Sequence, residues 1–125
     1  MSPEARSWVF VAATLMGTVI GQITLKYAID RRSADSLPAQ GLLGFTVGSL
    51  TDPLVLLSLL LALLASLTWI AAMTRLTLSA AYPFQSLSLV FTILLSCVLL
   101  NDDVSLMRWA GIGVVVAGLV LVARG

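Results

Sequence analysis

The sequence predicts an all-α membrane protein, a single domain over residues 1–125 with four transmembrane helices. Three observations carry this. Hydrophobic residues fill 59% of the 125 positions and charged residues only 10%, with a mean hydropathy of +1.05; soluble domains carry roughly 25% charged residues. Four apolar stretches are each long enough, at about 1.5 Å of helix per residue, to cross a hydrocarbon core about 30 Å thick. Finally, the residues needed for most soluble chemistry are missing. There is no histidine, and the single cysteine, Cys97, lies in an apolar run. A Cys/His metal centre, a Cys–His nucleophile pair and an internal disulfide are thereby excluded by count. A net charge of +1 leaves no basic footprint for nucleic acid. No catalytic constellation is visible, and no metal or cofactor is implied.

The first span is expected over residues 8–29, interrupted only by Thr14, Thr18, Gln22, Thr24 and Lys26. Its apolar part is long for a signal peptide and no clean A-x-A site follows, so it is expected to be retained. A long connection, Asp30 to Asp52, holds RRSADSLPAQ followed by GLLGFTVGSL. The latter is too short to span and is expected as a short interfacial helix. The second span, residues 53–74, is leucine-dense. The third, residues 80–100, starts at AAYPFQS and ends before Asn101-Asp102-Asp103. Pro83 would fall in its first turn, where a missing N–H costs little. The fourth span covers residues 105–123. The last two connections are only a few residues, so spans two to four form a tight antiparallel series. Four spans put Arg6, Arg75 and Arg124 on one side and Arg31, Arg32 and Arg108 on the other, which gives no orientation bias.

Polar groups inside a bilayer need a partner, a cavity or a route to the surface. Thr18, Gln22 and Lys26 recur every four residues and share one helix face. Gly17 and Gly21 beside them allow another backbone, or a ligand, to come close. Lys26 lies roughly 12 Å along the axis from Thr18, near enough to the headgroup layer for two readings. It is either a snorkelling lysine or a cation presented in a groove to an anionic group such as a phosphate. In the third span Gln85, Ser88, Thr92 and Ser96 form a second polar stripe, with Tyr82, Pro83 and Ser86 at its start. Thr92 and Ser96 are expected to bond to backbone or to join helices. Tyr82 reads as an interfacial aromatic or a path residue, and Gln85 as helix glue or a path residue. Gly111, Gly113, Ala117 and Gly118 give the fourth span a small-residue face, for packing within the monomer or for a dimer seam. No Asp or Glu lies in the middle of a span, so a cation/proton antiporter lacks its usual buried carboxylate.

The four-span layout resembles the small branch of the drug/metabolite transporter superfamily, small multidrug resistance-like and EamA-like. Val19-Ile20-Gly21 and the Gly111…Gly118 spacing are similar to the multidrug members. Their fourth-span glycines form a dimer seam, and their first-span glutamate binds drug and proton; that position matches Thr18 here, which argues against multidrug export. Three further motifs, GQITLKYA (residues 21–28), AYPFQSLS (81–88) and VSLMRWAG (104–111), resemble subunits of the flippase for undecaprenyl-phosphate-linked aminoarabinose. The first connection is longer than in that group.

The resemblance implies a bacterial inner-membrane protein that translocates a polyprenyl-phosphate-linked sugar or a similar anionic lipid. It would act as a dimer or beside a paralogous subunit, with no nucleic-acid partner. Lys26, with Arg31 or Arg32, would attract the phosphate. Thr18, Gln22, Tyr82, Gln85 and Ser88 would line the headgroup path, and Gly111, Gly113, Ala117 and Gly118 would form the dimer interface. Two alternatives stay open, a small-molecule or multidrug exporter and a non-transporting accessory membrane subunit.

Overall fold

The computed structural model describes residues 1–33 and 41–125, and the expected connecting loop over 34–40 lies outside the described residues. The chain is all-helical: α1 (Pro3–Ser49), α2 (Pro53–Met73), α3 (Leu78–Gln85), α4 (Leu87–Leu99) and α5 (Leu106–Arg124). Four segments are long and apolar enough to cross a membrane. They are Pro3–Ser33, Pro53–Met73, Leu78–Leu99, which joins α3 to α4, and Leu106–Arg124.

Local chemistry explains most of the helix ends. Ser2 caps α1, its hydroxyl accepting from the Ala5 N–H at 3.1 Å, with Pro3 at the first helical position. Asp52 and Pro53 repeat that arrangement at α2, where the carboxylate accepts from the Leu54 N–H at 2.9 Å. Ser105 caps α5 through the Arg108 N–H at 3.3 Å. At the end of α4, Asn101 takes a left-handed φ of 54°, and the Asp102 N–H donates to the Ser96 carbonyl at 3.2 Å. Asn tolerates that conformation better than most residues, and the helix stops there.

Two features differ from the sequence expectation. The first span does not give way to loop at Asp30, because helix α1 continues through Arg31, Arg32 and Ser33. Side chains support this extension: Lys26 pairs with Asp30 one turn away, and the Ser33 hydroxyl donates to the Asp30 carbonyl at 3.2 Å. The helical backbone breaks at Gly41, with φ 72° and ψ 173°. That region is open essentially to glycine alone. The GLLGFTVGSL stretch then runs as helix to Ser49, with Phe45 and Ser49 buried.

Pro83 is the second difference. Helix α3 begins at Leu78, so Pro83 is an interior residue rather than part of the first turn. Its ring removes the N–H that would bond the Ser79 carbonyl. The helix tightens into a turn three residues later, where the Ser86 N–H donates to the Pro83 carbonyl at 3.1 Å, and restarts as α4.

The α1–α2 pair is the most intimately packed part of the molecule. A Cβ placed on Gly17 would lie 3.2 Å from the Ala65 Cβ, and one on Gly21 would lie 3.4 Å from the Ser58 carbonyl. These two glycines therefore admit α2 itself. The Thr14 hydroxyl lies 2.7 Å from that of Thr68 and 3.3 Å from the Ala65 carbonyl, adding a polar clasp. At one end of the bundle Val11, Ala72 and Ala81 form a small core covered by Trp8, Trp69 and Phe84. Trp8 and Phe84 meet edge to face at 4.9 Å, a favourable aromatic geometry. Helix α5 rests lightly on α3 and α4. Many Leu and Val side chains face outward, which lipid tolerates as well as protein does.

Candidate functional site

Helices α1, α2 and α3 enclose an open-sided cleft of about 490 Å³, within the usual size range of small-molecule sites. Helix α1 contributes Thr18 and Gln22 from one face, α2 contributes Ser58, Ser66 and Trp69, and α3 contributes Tyr82 and Gln85. The cleft exists because α1 is notched by Gly17 and Gly21, while α2 turns a row of small residues, Ser58, Ala62, Ala65 and Ser66, toward it.

Two side-chain hydrogen bonds join the third span to the first, each through one amide. The Gln85 Nε2 donates to the Thr18 hydroxyl at 3.4 Å, and the Gln85 Oε1 is buried without a donor among the described residues. A buried unpaired acceptor costs on the order of 1–3 kcal/mol. One turn along α1, the Thr92 hydroxyl donates to the Gln22 Oε1 at 3.2 Å, so Thr92 joins helices as its residue type suggested. Ser96 bonds back to the Ile93 carbonyl at 2.9 Å. Trp69 and Tyr82 stand edge to face, 5.9 Å apart, and form an aromatic corner of the cleft.

Four of the five expected headgroup-path residues, Thr18, Gln22, Tyr82 and Gln85, thus line one cleft. Ser88, a turn beyond Gln85, is half-buried on α4 outside its lining. The cations lie beyond Leu25, the last α1 residue of the wall. Lys26 Nζ sits 2.6 Å from the Asp30 carboxylate, both side chains being about half exposed at 54% and 47%. Arg31 and Arg32 converge on Asp52, at 3.2 and 3.5 Å. Asp52 is only 4% exposed. The Leu54 N–H, and then the Arg31 guanidinium, hold its carboxyl below the usual carboxylate range against the opposing effect of burial. The Arg32 Nε is buried with no partner among the described residues.

The sequence reading overlooked the α2 wall. Ser58, Ala62, Ala65, Ser66 and Trp69 recur at helical spacing, which was the available signal, but leucines crowd the positions between them. The expected dimer face lies free: Gly111, Gly113, Ala117 and Gly118 are exposed on α5, and a Cβ on any of the three glycines would meet nothing within 4 Å. Gly118 also borders a second groove, between α3 and α5, that shares Tyr82 with the main cleft.

Comparison with known proteins fits this architecture. The sequence model of the EamA-like transporter family matches residues 5–124. A probable 4-amino-4-deoxy-L-arabinose-phosphoundecaprenol flippase subunit ArnE from Pseudomonas fluorescens Pf-5 is 31% identical over 107 residues, 86% of this chain and 88% of the relative. A probable ArnE subunit of the same flippase, from Pseudomonas aeruginosa UCBPP-PA14, is 30% identical over 115 residues, 90% of this chain and 92% of the relative. A probable ArnF subunit of the same flippase, from Erwinia tasmaniensis, is 33% identical over 114 residues, 86% and 89% of the two chains. No solved structure matches the chain significantly. Four membrane-crossing segments and a family match over nearly the whole length lead to one conclusion: this multi-pass membrane protein belongs to the EamA-like transporter family.

Proposed function

We propose that the chain moves a polyprenyl-phosphate-linked sugar, or a similar anionic lipid, across the bacterial inner membrane, as a dimer or beside a paralogous subunit. The observation that carries this reading is the division of the site. Among the described residues the cleft wall holds no Asp, Glu, Lys or Arg, whereas Lys26, Arg31 and Arg32 follow beyond its α1 end. A headgroup crossing bare hydrocarbon loses its hydration at high cost. Neutral hydroxyls and amides along the cleft replace part of that hydration, while the prenyl tail stays in lipid on the open side. The phosphate docks at Lys26. Its present partner is a solvent-exposed carboxylate one turn away, and such pairs contribute only about 0.3–0.5 kcal/mol, so a phosphate displaces it readily.

The names of the ArnE and ArnF relatives support a lipid-linked sugar and a two-subunit assembly. The free small-residue face of α5, at Gly111, Gly113, Ala117 and Gly118, is the surface on which a second chain would close the path. Rocking of one chain against the other would then expose the cleft to each side in turn. A proton-coupled cation exporter fits less well, since no carboxylate among the described residues lines the cleft.

Native mass spectrometry of the protein gently extracted from its own membrane tests this, wild type beside Lys26→Ala. The reading expects a retained polyprenyl-phosphate lipid that is lost in the variant, in a complex of two chains. Equal bulk phospholipid on both proteins would make Lys26 a snorkelling residue and overturn it.

A further inference from the structure

The cleft has two unlike ends. Thr14 meets Thr68 across the α1–α2 pair at 2.7 Å, and Trp69 is the next residue of α2. Lys26 follows Thr14 by twelve residues, which sets it about 18 Å along α1 from that level. The corner formed by Trp69 and Tyr82 therefore stands at the end of the path away from the lysine. A sugar joined directly to a phosphate docked at Lys26 does not reach across three turns of helix.

Trp69 is not placed as a membrane-surface aromatic, which would turn its ring to lipid and headgroups. It is half-buried, packs against the Val11–Ala72–Ala81 core and lines the cleft, while Leu63 and Leu67 carry the exposed face of α2 at this depth. Tyr82 is 60% exposed, and its ring stands at 78° to that of Trp69. The pair offers apolar ring surface with two polar handles: the indole N–H donates, and the phenol both donates and accepts. A sugar divides its surface in the same way, with an apolar C–H face rimmed by hydroxyls. Arg75, exposed in the turn that follows α2, lies six residues past Trp69 and joins none of the ion pairs among the described residues.

We infer that the Trp69–Tyr82 corner is a second headgroup station, which takes the sugar ring once its phosphate has left Lys26. Trp69 binds the ring, and Arg75 is a cation for the phosphate at this end. The inference rests on the flippase reading and deepens it, giving the path a docking point at one end and a sugar site at the other. Tyr82 also walls the α3–α5 groove, so Trp69 is the cleaner position to change.

The test places the full-length protein in vesicles of phosphatidylethanolamine and phosphatidylglycerol with a short-chain polyprenyl phosphate bearing a hexose. A photoreactive diazirine on the hexose reports its neighbours, mapped by mass spectrometry, and an impermeant oxidant reads transport of the unlabelled lipid. Wild type is expected to give two groups of crosslinks, at Leu25–Lys26 and at Trp69–Tyr82. Trp69→Leu should retain the lipid at Lys26 yet move it about tenfold more slowly, the scale of one lost aromatic contact, and Trp69→Phe should recover much of the rate. Crosslinks confined to the Lys26 end overturn the second station and leave the flippase reading standing; this map needs no variant to fold. Unchanged transport in Trp69→Leu does the same, as does a Trp69→Phe protein as slow as Trp69→Leu, which makes Trp69 a packing residue. A hexose lipid that crosslinks no more than a phospholipid with the same label sinks both.

Discussion

Lys26 and Asp30 form an ion pair of 2.6 Å across one turn of α1, with half of each side chain open to the surroundings. The lysine is thus neither buried in the cleft nor left alone at the membrane surface. Its partner holds it beyond the α1 end of the cleft, and on the proposed function a phosphate would replace that carboxylate. Asp30→Asn is expected to change stability by less than about 0.5 kcal/mol while increasing retention of polyprenyl phosphate. Lipid retention and melting temperature, measured on the same purified sample, separate the two effects. Unchanged or weaker retention would remove Asp30 as a competitor for the lysine.

Asp52 gives a pH dependence. Its carboxyl is held below the usual range by the Leu54 N–H and Arg31, so the unfolded chain takes up a proton first as pH falls. The stabilisation from Asp52 is therefore complete at neutral pH. It begins to fade near the ordinary aspartate value of about 3.9 and is lost as pH drops through the lower folded value. Asp52→Asn is expected to melt below wild type at pH 7, with the gap closing toward pH 3. Thermal unfolding in detergent across that range checks it, and a constant gap would contradict the linkage.

Gly17 tests the contact that shapes the cleft. A Cβ there lies 3.2 Å from the Ala65 Cβ, so Gly17→Ala asks α2 to yield by a few tenths of an ångström. Gly17→Leu forces the helices apart, at an expected cost of about 1–3 kcal/mol. A graded loss of melting temperature, glycine above alanine above leucine, is the outcome to look for. A leucine variant as stable as wild type would show that α1 and α2 do not depend on this approach.

Gly111→Leu probes the free face of α5. The side chain has open space in the monomer, so helix content and monomer stability should hold. If a second chain seats on this face, native mass spectrometry should show the two-chain species depleted several-fold. A persistent dimer would move the interface elsewhere.

The four spans were legible because length and apolarity alone separate a membrane helix from a soluble one, and caps such as Asp52-Pro53 and Ser105 stand out against that background. Much of the cleft was legible as well: Thr18, Gln22 and Gln85 are conspicuous amides and hydroxyls in lipid-facing sequence. Ser58 and Ser66 were not, since a serine that bonds its own helix looks like any other in a leucine-rich run. Arg31 and Arg32 read as loop residues, because their partner Asp52 is too far along the sequence for the ion pairs to leave a local signal. Pro83 misled by a register of two residues, because Leu78 and Ser79 start the helix earlier than the AAYP motif suggests.

The unequal grip among the helices bears on how the protein is made. Helices α1 and α2 clasp each other through Gly17, Gly21 and the Thr14–Thr68 hydroxyls, contacts that the amino-terminal hairpin can make before the later helices exist. Helix α5 arrives last and finds only a shallow seat beside α3. In the proposed two-chain assembly, α5 would be the last helix available to a neighbouring chain, and pairing would wait on the final steps of synthesis.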